Sequence, residues 1–153
     1  MDKNHIIIII LVIVIIALAA LIGISMFNDQ KDDVVIYNNT IEDVGTFNTT
    51  NVTNFTLDEV KEKQTDYMAN DSITQISTIE SSSVIEGTIS EAEKVNDSAE
   101  GHTIYKYTAN VGEHKGDVRY LSILKDSDKG RYILISSEDY NRTCMIVDTF
   151  KIF

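Results

Sequence analysis

Residues Ile6 to Phe27 read IIIIILVIVIIALAALIGISMF, an unbroken apolar run without a charge in which Ser25 is the sole hydroxyl. At a helical rise of about 1.5 Å per residue, a run of this length crosses a hydrocarbon core about 30 Å thick. It therefore predicts a transmembrane helix over 6–27 and divides the chain into a short segment before it and a domain after it. Ala17-Leu18-Ala19 has the small-x-small form of a signal-peptidase site, so a secreted domain after cleavage is an alternative. Cleavage there would leave Leu21, Ile22, Ile24, Met26 and Phe27 at a new N-terminus. An uncleaved signal-anchor fits the run better.

Orientation follows from the flanking charges. Lys3 precedes the run, whereas Lys31 follows it among Asp29, Asp32 and Asp33. The bias of basic residues places 1–5 in the cytoplasm and, after a linker over 28–32, a domain over 33–153 outside the cell membrane. The chain carries a net charge of −11, which repels nucleic-acid phosphates and excludes nucleic acid as a partner. With Cys144 as the one cysteine, no intrachain disulfide is possible, and an outer domain must depend on its core. The absence of proline excludes a proline-rich stalk.

Asn-x-Ser/Thr sequons agree independently with an outside location. They fall at Asn38, Asn48, Asn51, Asn54, Asn70, Asn96 and Asn141, seven of the 11 asparagines. Random placement of serine and threonine would give about two sequons. N-glycosylation acts on exposed segments of translocated proteins. The run FNTTNVTNFT holds three of the sites, and these three are the strongest glycosylation candidates. Asn141 is the weakest, because it falls in an expected helix.

Beyond residue 33 the pattern predicts two short strands, Asp32–Tyr37 and Ile41–Phe47, and then a polar loop over 48–54. Thr56-x-x-Glu59 has the form of a capping box, and Leu57, Val60, Gln64, Tyr67 and Met68 recur at helical spacing, so a helix is expected over 57–69. Strands are expected at about 73–79 and 84–90, followed by an acidic loop over 91–101. His102–Ala109 alternates in the manner of a half-buried strand, Asp117–Lys125 continues it, and Arg131–Ser136 is almost continuously apolar. Gly130 closes the hairpin between the last two. A final helix begins near Ser136 or Ser137, with Tyr140, Cys144, Val147 and Phe150 or Lys151 along one stripe. The fold class expected is α+β: an N-terminal transmembrane helix, then an antiparallel β-sheet domain with helices packed on it.

The stretches GDVRYLSIL, GRYILISSEDYN and MIVDTFKIF resemble the PsbP/Mog1-like α/β sandwich, in particular its small membrane-anchored archaeal representatives. The likeness covers roughly residues 33–153 and is strongest from 102 onward. It implies a non-enzymatic, protein-binding or accessory role. No partner-binding residue matches, so the photosystem and GTPase partners of that family do not carry over.

Chemistry-bearing constellations are weak, and no catalytic, cofactor or metal site is expected. Asp126-x-Asp128-x-Gly130 resembles the start of a calcium loop, but Gly130 stands where the third ligand belongs and Ser137 where the closing glutamate belongs. His5, His102 and His114 have no histidine or cysteine at ligand spacing. Cys144 reads as a core thiol on an apolar stripe. Tyr105, Tyr107, Tyr120 and Tyr132 lie on strands expected to neighbour one another. Cross-strand packing explains them, and an aromatic face for a sugar or peptide is the functional alternative. The expected function is a single-pass, membrane-anchored extracytoplasmic binding or accessory domain of the cell envelope, with an envelope protein or glycan as partner. A pilin-like filament subunit is the alternative; against it, no glycine or alanine processing site precedes Ile6 and no glutamate stands near the start of the run.

Overall fold

A computed structural model describes residues 34–110 and 115–153. Ten strands and two helices follow one another along these residues. They are β1 (Ile36–Ile41), β2 (Gly45–Thr50), β3 (Thr56–Lys61), β4 (Gln64–Met68), β5 (Gln75–Ile79), α1 (Ser82–Ser90), β6 (Glu93–Asp97), β7 (Thr103–Thr108), β8 (Val118–Asp126), β9 (Arg131–Ser137), α2 (Tyr140–Thr149) and β10 (Lys151–Ile152). The strands form two antiparallel sheets, one of three strands in the order β1-β2-β10 and one of seven in the order β3-β4-β5-β9-β8-β7-β6. Val35–Phe153 make one compact unit.

The seven-stranded sheet has two unlike faces, and its register assigns them. Ile76 pairs with Ile135, and Thr78 with Ile133; Ser122 pairs with Ile135, and Leu124 with Ile133. These residues share one face, since side chains alternate along a strand. That face meets α2 and the three-stranded sheet, and Phe47, Ile41, Val44, Ile146 and Val147 close the core against it. Phe47 stacks on Phe150 at 5.2 Å and meets Phe55 edge-on at 5.0 Å. Burying a ring of this size contributes about 2–3 kcal/mol.

Gly45 is required by close approach. A Cβ there would run into the Lys151 carbonyl oxygen and the Phe150 ring where β10 docks on β2. A second tie joins the sheets at the β8–β9 hairpin. The buried Asp126 carboxylate accepts from Arg131 Nε at 2.9 Å, and Lys129 and Arg131 both donate to the Asp43 carbonyl oxygen in the β1–β2 turn. Burial by itself would push the Asp126 carboxyl up. The Arg131 guanidinium, the Lys129 N–H and the nearby Lys129 charge outweigh it and hold the group below the usual carboxylate range.

Several expectations are corrected. The described residues are 49% strand and 16% helix, so the domain is mostly β in two antiparallel sheets rather than α+β. The helix expected over 57–69 is the β3–β4 hairpin, with Glu62-Lys63 as its two-residue turn between Lys61 and Gln64. β4 has β5 as its other neighbour, and this long-range pairing overrides the local Thr56-x-x-Glu59 signal. The strand expected over 84–90 is α1, and the acidic loop over 91–101 contains the edge strand β6. The cytoplasmic segment 1–5, the transmembrane helix or signal-anchor 6–27 and the linker 28–32 lie outside the described residues. Among the described residues no helix is long and apolar enough to cross a membrane, the two helices having nine and ten residues. The fold of the described residues therefore contains no transmembrane helix, in contrast to the expected fold class.

Candidate functional site

The second face of the seven-stranded sheet carries the candidate site. Tyr105 pairs with Leu121 and Tyr107 with Arg119; Leu121 pairs with Ser136, Ile123 with Leu134 and Lys125 with Tyr132. Alternation places Tyr105, Tyr107 and Tyr132 on this face beside Arg119, Leu121 and Ile123. Tyr120 points the other way and meets Tyr140 of α2 edge-on at 5.4 Å. The four tyrosines therefore divide: three share the open face and one belongs to the core.

Helix α1 lies across this face, and its composition explains how lightly. SSVIEGTIS is poor in strong helix formers and holds Gly87 mid-helix. Its N-cap, Ser81, makes no side-chain capping bond, and Ile85 is the sole buried residue. The hydroxyls of Thr88 and Ser90 bond back to the carbonyls of Val84 and Gly87. Ile85 and Ile89, one turn apart, cover part of the sheet and leave a groove of about 330 Å³ against Tyr105, Ile123 and Tyr132, with Lys125 at its rim. On the other flank Val84 and Thr88 bound a groove of about 280 Å³ with Tyr107 and Leu121. A third groove, about 420 Å³, runs on from Tyr107 past Ile73 and Ala109 to Arg119, Asp117 and Glu138.

Arg119 is fixed in that third groove. Its Nε donates to Ser136 Oγ at 2.8 Å and its Nη2 to the Ile73 carbonyl oxygen at 2.7 Å. The Ile73 carbonyl is in turn positioned by the turn after β4. Asp71 accepts from the Ile73 and Thr74 N–H groups and the Thr74 hydroxyl, and it pairs with Arg142 of α2 at 2.6 Å. The three grooves combine apolar and aromatic walls with a fixed cation and rim carboxylates, the composition of a recognition surface.

The sequon asparagines lie elsewhere. Asn38 and Asn48 are cross-strand neighbours on the three-stranded sheet, Asn38 Nδ2 donating to Asn48 Oδ1 at 3.0 Å. Asn51 and Asn54 both have positive φ in the segment leading out of β2. Asn51 Oδ1 accepts from the Val35 N–H, and Asn70 Oδ1 from the Thr53 N–H. Asn96 is on the outermost strand β6, and Asn141 is in the first turn of α2. Six of these asparagines are exposed and Asn48 is half-buried. The sequons differ in their third residue. Thr40, Thr56 and Ser72 are exposed, whereas Ser98 bonds Asp148 and the buried Thr143 bonds the Tyr120 and Asp139 carbonyls.

Other candidates resolve structurally. Asp126–Gly130 is a hairpin turn with Gly130 at φ 63°, and Asp126 is committed to Arg131. No group of three or more His, Cys, Asp or Glu among the described residues could hold a metal ion. His102 immediately precedes β7, half-buried, and His5 and His114 lie outside the described residues. Cys144 is half-buried against the core, and burial, with Asp148 nearby, pushes its thiol up against the opposing hydrogen bond with Tyr140. A thiol shifted upward is a poor nucleophile. The grooves escape a reading of the sequence because α1 has the pattern of a strand; the alternation of Tyr105 and Tyr107 is the signal that points to the face.

No protein-family model, curated sequence or solved structure matches this chain.

Proposed function

We propose that this chain is an extracytoplasmic binding or accessory domain of the cell envelope. It is held at the outer side of the cell membrane and recognises an envelope protein or glycan through the open face of its large sheet. The observation that carries the reading is the placement of the sequons. Their asparagines reach the surface on the small sheet, the 51–54 segment, the 70–72 turn, β6 and α2, and none lines the three grooves. Bulky sugar on the small sheet and on β6 would leave the aromatic grooves accessible, and sugar on Asn70 would stand two residues from Ser72, at the edge of the third groove. The apolar run at 6–27, the net charge of −11 and the resemblance to a non-enzymatic sandwich family support the same reading. On it the domain binds and catalyses no reaction.

The test is expression of the full chain in a host that N-glycosylates translocated proteins. Intact mass is measured before and after enzymatic deglycosylation, and protease accessibility is measured on sealed cells. Modification at Asn38, Asn51, Asn54 or Asn70 and digestion from outside are expected. An unmodified mass together with protection of the domain in intact cells would overturn the proposal.

A further inference from the structure

Among the described residues the two sheets end in four edge strands, and three are guarded against pairing with another chain. β10 has two residues, too few to template a ladder. β3 carries Asp58, Glu59 and Lys61 and breaks register between Leu57 and Glu59. β6 carries Glu93, Lys94 and Asp97 and breaks register between Lys94 and Asp97. Charges and bulges are the usual devices by which an edge is made unfit for addition of a further strand.

β1 has none of them. Val34–Ile41 reads VVIYNNTI, without a charge, proline or glycine. Ile36–Ile41 pairs with β2 in unbroken register. Val34, Val35, Ile36 and Tyr37 are 67%, 45%, 60% and 39% exposed. The free edge can be assigned residue by residue. The Asn51 N–H donates to the Val35 carbonyl oxygen, so Val35 directs its backbone groups at β2. By alternation Tyr37, Asn39 and Ile41 do the same, and Val34, Ile36, Asn38 and Thr40 turn theirs outward.

We infer that β1 is an association edge for a second copy of this chain, two β1 strands pairing antiparallel about a two-fold axis centred on Tyr37. The occupant follows from charge and register. In a chain of net charge −11, an uncharged strand offers a charged partner nothing to pair with. A second β1 meets it without placing like charges opposite each other between residues 34 and 40. Centring on Tyr37 sets Ile36 against Asn38 and Val34 against Thr40, the one two-fold register that uses all four outward-facing residues. It joins two three-stranded sheets into one continuous sheet, a self-complementary contact of the closed two-fold type.

The test uses the full chain, made in a host without N-glycosylation and purified in mild detergent. Its mass is measured by light scattering across a concentration series. A concentration-dependent dimer is expected. Ile36→Pro removes an outward N–H without touching the β1–β2 ladder, and Ile36→Lys places like charges near the axis; each raises the dissociation constant about tenfold or more. Circular dichroism and cooperative unfolding confirm that both variants fold. With Cys144→Ser, Tyr37→Cys forms an intermolecular disulfide on mild oxidation, because a directly opposed non-hydrogen-bonded pair has its Cα atoms about 4.5 Å apart. Leu57→Cys on the guarded edge β3 does not. A monomer at all concentrations, a dimer unchanged by both Ile36 variants, or cross-linking at position 57 and not 37 would each refute the β1 edge.

Discussion

The two faces of the seven-stranded sheet are each crossed by one helix of similar length, yet the helices do different work. On the core face α2 buries Thr143, Ile146 and Val147, and the Asp139 carboxylate caps its N-terminus by accepting from the Arg142 N–H. On the open face α1 buries Ile85 alone, has no side-chain cap bond and leaves a groove along each flank. The small sheet explains the contrast. It joins α2 in covering the core face, and among the described residues the open face has no such second layer. One face therefore holds the fold together, and the other presents aromatic side chains under a light cover.

The sharpest way to break that comparison is to truncate matching isoleucines. Ile146→Ala should cost about 3 kcal/mol, within the usual range for emptying a packed core site. Ile85→Ala should cost about 1 kcal/mol, because α1 can rearrange or open locally without the core following. Urea denaturation of both variants measures the difference, and equal losses would abolish the distinction between the faces. Next in size, Gly45→Ala should destabilise by about 2 kcal/mol as β10 and Phe150 are forced off β2, again on the core side only.

Asp126 adds a pH dependence to the sealed side. Its folded-state carboxyl lies below the ordinary value, so its contribution is present above the unfolded pKa of about 3.9 and is lost as pH falls through the folded value. Asp126→Asn should cost about 2 kcal/mol at pH 7, less than a fully buried pair would lose because Arg131 keeps some solvent contact. The gap between wild type and variant in urea midpoint should narrow as the pH drops below about 4; a constant gap would mean that the charge is not what Arg131 holds. The smallest effect separates the caps: Asp139→Ala should cost about 1 kcal/mol and Ser81→Ala close to nothing.

How much of the fold is legible in the sequence depends on whether local pattern and long-range pairing agree. They agree in the C-terminal third. Tyr105 and Tyr107 alternate as the pleat demands, RYILIS forms the central strand with Ile133 and Ile135 fully buried, and Gly130 takes the positive φ its hairpin needs. They disagree at 56–68, where helical spacing and a capping-box pattern coexist with Val60, Thr65 and Tyr67, and pairing with β5 decides for a hairpin. At 84–90 the β-branched residues favour a strand, but Ile85 and Ile89 fall one turn apart where the sheet needs a cover. β10 is two residues long, and no periodicity can announce a strand so short. The candidate face is half-readable for the same reason: the tyrosines can be placed on strands, but which of them share a face depends on registers set across β7, β8 and β9.

The small sheet also settles the geometry of access to the domain. Ile36 opens β1 opposite Thr50, at one end of β2, and Ile152 closes β10 opposite Gly45, at the other. Five strand steps separate those two positions on β2, about 17 Å along the strand. The backbone thus enters the domain at one end of its smaller sheet and emerges at the opposite end. A fluorescent reporter or affinity handle joined after Phe153 would therefore stand clear of the point of entry.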